Sequence, residues 1–168
     1  MKLYLDVDTQ LDFVYPAGAL YVPGAERILP RVAARNREAI ETGAKLVSTM
    51  DAHTENDPEF RAWPHHCVAG ALGARKPEIT IVPGAHFLPK QSVDCFTNPQ
   101  LAAWLQEWEI QEALVYGVVT EICVQHAAFG LLARGIQVTV DSQAVKELST
   151  ENCRLFFEEV RARGGAIL

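Results

Sequence analysis

The sequence predicts an α/β protein: a parallel β-sheet with helices on both faces. Three observations carry that expectation. Short apolar runs alternate with longer amphipathic ones along all 168 residues, the pattern of repeated strand–helix units. Glycines 43 and 135 stand just beyond two of the helical runs, where a left-handed cap is favoured. Nearly every chemically capable side chain lies immediately past an apolar run, and parallel sheets bind ligands beyond the carboxyl ends of their strands.

The elements follow in order. Leu3–Val7 reads as the first strand. Residues 25–42 read as a helix, with Ile28, Leu29, Val32, Ala33, Ala39 and Ile40 at helical spacing. Lys45–Met50 is the second strand, followed by a polar, proline-containing stretch from Asp51 to about Glu78. His86–Pro89 is a short third strand, Gln100–Trp108 a helix and Ala113–Val119 a strongly apolar fourth strand. Glu121–Arg134 is the next helix, Ile136–Val140 a strand, Glu151–Arg163 a helix and Ala166–Leu168 a last short strand.

Composition narrows the class. Apolar residues are 49% and the net charge is only −6, which excludes intrinsic disorder. There is no basic excess and no Lys/Arg cluster, so no nucleic-acid partner is expected. No apolar run approaches the roughly 20 residues of a membrane span, and the acid-broken N-terminus does not read as a secretory leader. One domain is expected from the length. The four cysteines, Cys67, Cys95, Cys123 and Cys153, are scattered without a CxxC pair, so they read as reduced thiols of a cytoplasmic protein.

One of those thiols stands out. Cys123 follows the fourth strand, and Thr120 as N-cap would make it the third residue of the next helix. Free amides and the positive dipole end there favour a thiolate and an oxyanion. The competing reading is a small buried residue packing helix on sheet. Asp8 ends the first strand, and alternation puts it on the same face as Asp6. A carboxylate buried there needs a partner or a task, and it could be the base for a thiol. Asp12 is better suited to capping the following turn. Lys90 closes the third strand and could orient that acid.

Asp51 and His53 share one side of an extended segment, and His66 returns after a loop. A carboxylate and two imidazoles suit a divalent metal, zinc first, with iron or manganese as alternatives, and Glu59 could be a fourth ligand. Ordinary hydrogen-bonded loop histidines are the competing reading. His65 is the expected bystander. His126 lies on the helix of Cys123 and ranks below Asp8 as its base.

Taken together, these motifs resemble the isochorismatase-like cysteine hydrolases, and within them the nicotinamidase branch. The matching segments are Asp8-Thr9-Gln10-Leu11-Asp12-Phe13, Asp51-Ala52-His53, Trp63-Pro64-His65-His66-Cys67-Val68-Ala69-Gly70, Lys90 with Asp94-Cys95-Phe96, and Gly117-Val118-Val119-Thr120-Glu121-Ile122-Cys123-Val124. The resemblance implies a three-layer α/β/α fold with a six-stranded parallel sheet of order 3-2-1-4-5-6. It also implies a catalytic triad of Asp8, Lys90 and Cys123, and a metal held by Asp51, His53 and His66. The Val119 and Cys123 amides would form the oxyanion hole, beside a cis Val118–Val119 peptide. Phe13 and Trp63 would wall the substrate pocket. The implied reaction is metal-dependent hydrolysis of a small amide, nicotinamide to nicotinate and ammonia, by a homodimer or homotetramer. Another carboxamide or a carbamoyl compound, isochorismate, or a non-catalytic binding role are the rivals. Ile122 and Val119 depart from the family pattern at positions facing the substrate.

Overall fold

The computed structural model describes residues Met1–Leu168. Six parallel strands form one sheet: β1 (Lys2–Val7), β2 (Lys45–Asp51), β3 (His86–Lys90), β4 (Glu112–Val118), β5 (Gln137–Lys146) and β6 (Ala166–Ile167). Their order is β3-β2-β1-β4-β5-β6, so the strand order reverses between β1 and β4. β1 and β4 are buried almost throughout, as strands covered on both faces must be, which is why they read as apolar runs without alternation.

The helices are α1 (Leu11–Val14), α2 (Leu29–Glu41), α3 (Pro99–Glu107), α4 (Gln125–Leu132) and α5 (Thr150–Ala162). α2 buries Val32, Ala33, Asn36 and Ala39 against the sheet, and α5 buries Cys153, Phe156 and Val160, each at helical spacing. Asn98 caps α3 through Gln100 N at 3.0 Å, with Pro99 as first helical residue, and Ser149 caps α5 through Asn152 N at 3.2 Å. None of these helices is long and apolar enough to cross a membrane.

Four expectations need correction. The helix expected from residue 25 begins as a 3₁₀ turn, Ala25–Ile28, and becomes α-helical only where Pro30 enters its first turn. β5 runs on to Lys146 instead of ending at Val140, because a register break opposite Val115 and Gly117 lets pairing resume beyond it. The helix carrying Cys123 opens with a π-turn, Thr120–Val124, closed by Val124 N to Val119 O at 3.1 Å. Thr120 therefore is not its N-cap, and its buried hydroxyl has no hydrogen-bond partner. Asp6 and Asp8 do not share an environment, because Asp8 leaves β1 in the left-handed region at φ 50° and the strand alternation stops there.

Asp6 instead anchors a buried polar network beneath the strand end. It accepts from Thr9 Oγ1 (2.7 Å), Asn36 Nδ2 (2.9 Å), Ser48 Oγ (3.2 Å) and Lys76 Nζ (2.8 Å). Tyr116 extends it by donating to Asn36 Oδ1 at 2.7 Å. Trp104 and Trp108 stack at 5.3 Å and pack on His86, with Trp108 in the core. At the crossing of β1 and β4, Gly117 takes φ 120°, and a Cβ there would stand 2.1 Å from Val7 O. Only glycine lets the two strands close up at the point where their ends meet.

Candidate active site

The ends of β1, β2, β3 and β4 deliver their side chains to one place. Asp8 is fixed from β2: its amide lies 3.2 Å from both Thr49 O and Thr49 Oγ1, and that hydroxyl donates to Asp8 Oδ1 at 2.6 Å. Lys90 is buried beside it, with Nζ 2.8 Å from Asp8 Oδ2, 3.0 Å from Ser92 O and 3.9 Å from Cys123 Sγ. The same ammonium also donates to Asp51 Oδ1. One lysine thus touches two carboxylates and a thiol.

Burial sets the electrostatics. It raises the Asp8 carboxyl above the ordinary carboxylate range, with Lys90 pulling the other way. It also pushes the Cys123 thiol well up, with Lys90 opposing and Asp8 and Asp51 adding to the rise. Burial alone would lower Lys90, but the charges of Asp8, Cys123 and Asp51 outweigh it and hold the ammonium charged. Burial thus makes both the Asp8 carboxyl and the Cys123 thiol more basic, beside a lysine held charged.

On the far side of Asp51 lies the carboxylate–imidazole trio. Gln10 holds the Asp51 backbone at both ends of its amide: Gln10 Nε2 donates to Asp51 O at 2.8 Å and Asp51 N donates to Gln10 Oε1 at 2.7 Å. Asp12 does not merely cap its own turn. Its Oδ2 accepts from Cys67 N at 2.7 Å, which pins the loop that carries His66. His53 Nδ1 is bonded to Asp57 Oδ2 at 3.0 Å and His66 Nδ1 to Pro64 O at 2.7 Å. Both rings therefore turn Nε2 toward Asp51 Oδ2, each at 3.7 Å.

This trio fits a metal. Its three ligand atoms lie within 4.8 Å of one another, and His53 Nε2 is buried with no hydrogen-bond partner, a costly state for a ring nitrogen with no ligand to meet. The Asp51 carboxylate beside it pulls His53 up to about 9, and His66 also rises because Asp51 outweighs the opposing effect of burial. The pocket is built to attract a cation. Glu59 does not join the trio; its carboxylate groups with His53 and Asp57 instead.

A narrow cavity of about 60 Å³ opens onto both clusters. At roughly 10–15 Å³ per water by the same measure, it suits a single small ring. Phe13, Trp63, Val119, Ile122 and Leu148 supply apolar wall, and Cys123, Asp51, His66 and Glu59 supply polar groups. Asp8, Lys90 and His53 are buried behind that wall. The Val118–Val119 peptide is cis. His65 is exposed and stacks on Phe60 at 4.2 Å, and His126 is exposed on α4. Phe60, unnoticed in the sequence, also packs on His53 at 5.3 Å and His66 at 5.6 Å. Its signal in the sequence is an aromatic residue between His53 and His66, in the same loop as Trp63.

A thiol, an acid and a lysine gathered from separate strand ends, beside a cation-attracting trio and at the reversal of strand order, define a parallel α/β protein of the hydrolase kind. More narrowly, the chain belongs to the isochorismatase family: the isochorismatase domain matches residues 3–168. Among solved structures it is similar to the pyrazinamidase of Pyrococcus horikoshii in complex with zinc, at 33% identity and TM-score 0.93, covering 99% of this chain and 98% of that one. It is 29% identical over 164 residues to the isochorismatase family protein PncA of Bacillus subtilis, covering 89% of this chain and 88% of that protein. It is 26% identical over 179 residues to the nicotinamidase/pyrazinamidase of Mycobacterium tuberculosis, covering 96% and 95%.

Proposed function

We propose that the protein hydrolyses a small uncharged carboxamide, nicotinamide first, to the carboxylic acid and ammonia through a thioester on Cys123. The carrying observation is the Lys90 ammonium, 2.8 Å from Asp8 and 3.9 Å from the Cys123 sulfur, directly behind an apolar cavity. Asp8, made more basic by burial, takes the thiol proton as sulfur attacks the carbonyl carbon. The Val119 and Cys123 amides receive the oxyanion. Asp8 returns the proton to the departing ammonia; water then attacks the thioester carbon as Asp8 takes its proton, the C–S bond breaks, and Asp8 passes that proton to the Cys123 sulfur to restore the thiol. Lys90 holds the acid in place and offsets negative charge throughout.

Phe13 and Trp63 flank the ring of the substrate. Asp51, His53 and His66, with Glu59 nearby, would hold a divalent ion, zinc by the example of the Pyrococcus complex, which supplies Lewis acidity at the cavity wall. The cavity wall contains no lysine or arginine, which favours an uncharged amide over a carbamoyl amino acid. The four free buried thiols suit a cytoplasmic setting, with the whole chain acting as one unit.

The test is ammonia release from nicotinamide by zinc-loaded protein, with and without Cys123→Ala. Turnover by the native protein and none by the variant is expected. An inert native protein sinks the assigned reaction, and turnover that survives the substitution sinks the thioester.

A further inference from the structure

We propose that Leu148 sets the size of ring the cavity accepts, and that Glu121 is the residue that positions it. The idea rests on the reading of this cavity as the amide site. Leu148 lines the cavity yet is 52% exposed, so a large apolar side chain is held at the boundary between the cavity and water.

What holds it is visible. The link between β5 and α5 is only Glu147 to Ser149. At its C-terminal end Ser149 is committed to capping α5, through Asn152 N at 3.2 Å and Cys153 N at 2.9 Å. In the middle, one oxygen of Glu121 accepts both Leu148 N at 3.0 Å and Ser149 N at 2.7 Å. These are bonds from two consecutive amides to a carboxylate, which fix the backbone from which the Leu148 side chain projects. Glu121 itself belongs to the π-turn that carries Ile122 and Cys123. The residue that clamps the rim is therefore two positions from the sulfur, and the two cavity walls, Ile122 and Leu148, are tied to each other through it. The second Glu121 oxygen is buried and unpartnered, so the clamp uses a single oxygen.

A wall held this firmly excludes substituents. Removing apolar wall from a small pocket changes discrimination by roughly 10–200-fold per methylene-scale contact in favourable cases. In Leu148→Ala, KM for nicotinamide should rise about tenfold with kcat little changed. The preference for nicotinamide over the better of 5-methyl- and 6-methylnicotinamide should fall by at least about fivefold. Glu121→Ala should reproduce both changes, and Glu121→Gln, whose amide oxygen can accept the same two bonds, should restore native values.

Thermal melts accompany each variant. A preference ratio that stays native in Leu148→Ala overturns the size-setting role. A ratio that moves in Leu148→Ala and stays native in Glu121→Ala overturns the positioning role, as does a Glu121→Gln variant that folds normally and shows the Glu121→Ala ratio instead of the native one. A native protein inert on every amide removes the parent reading instead, whereas native turnover with an unmoved ratio removes only this one.

Discussion

Replacing Lys90 with methionine is the sharpest test of the buried charge cluster. The substitution keeps most of the side-chain volume and deletes only the ammonium, leaving Asp8 and Asp51 without their shared cation. At the observed 2.8 Å to Asp8 and an effective dielectric of about 20, the attraction to that one carboxylate is about 6 kcal/mol before any desolvation is set against it. The orphaned acid can avoid that loss by taking up a proton. Raising a carboxyl from its ordinary value near 4 to neutrality at about pH 7 spans roughly 3 units, or about 4 kcal/mol. That agrees with the roughly 3–5 kcal/mol measured when one partner of a buried pair is removed.

The pH dependence has a definite sign. In the variant the folded-state acids have raised pKa values, so their protonated form is stable in the fold. Their contribution is intact at low pH and lost as pH rises through those values. Urea unfolding at about pH 5 and about pH 8 should show a deficit against native protein of about 4 kcal/mol at the higher pH and clearly less at the lower. A deficit below about 1 kcal/mol at the higher pH, or one that grows on acidification, refutes the cluster as described.

Metal content gives a second check: Asp51→Ala and His53→Ala should each lose bound zinc by elemental analysis, and undiminished zinc would mean the ion sits elsewhere. The Asp6–Lys76 pair is as deeply buried as any in the chain, so Lys76→Met alone should cost roughly 3–5 kcal/mol in urea unfolding. Adding Asp6→Leu should recover only part of that loss, because it removes the unpaired charge but strands the buried donors of Thr9, Asn36 and Ser48, and a double variant as stable as the native protein would show that those three bonds contribute nothing.

The strands, their order of appearance and the polar residues beyond them were legible because each is a local or periodic signal. Val7 is followed by Asp8, Met50 by Asp51 and Pro89 by Lys90, and parallel strands bring such ends together without further instruction. What was not legible depends on pairs with no periodic relation. Lys76 meets Asp6 across 70 positions, and Glu121 meets Leu148 and Ser149 across 27 and 28. Thr120 looked like a helix cap because its type and position fit, but the π-turn moves the first closing bond to Val119 O. Left-handed backbone at Asp8 broke an alternation that any sequence reading would extend by one more residue.

Asp51 gives one oxygen to Lys90 and the other to the two imidazoles. The two clusters therefore have a hinge residue in common, and a charge arriving at one is felt at the other through a single carboxylate. Chelation and metal loading should then act as titrants of the thiol cluster, shifting the acid limb of the pH–rate profile and not only its height. It also means that a substitution at Asp51 is never a pure metal knockout, whereas one at His53 or His66 comes much closer to being so.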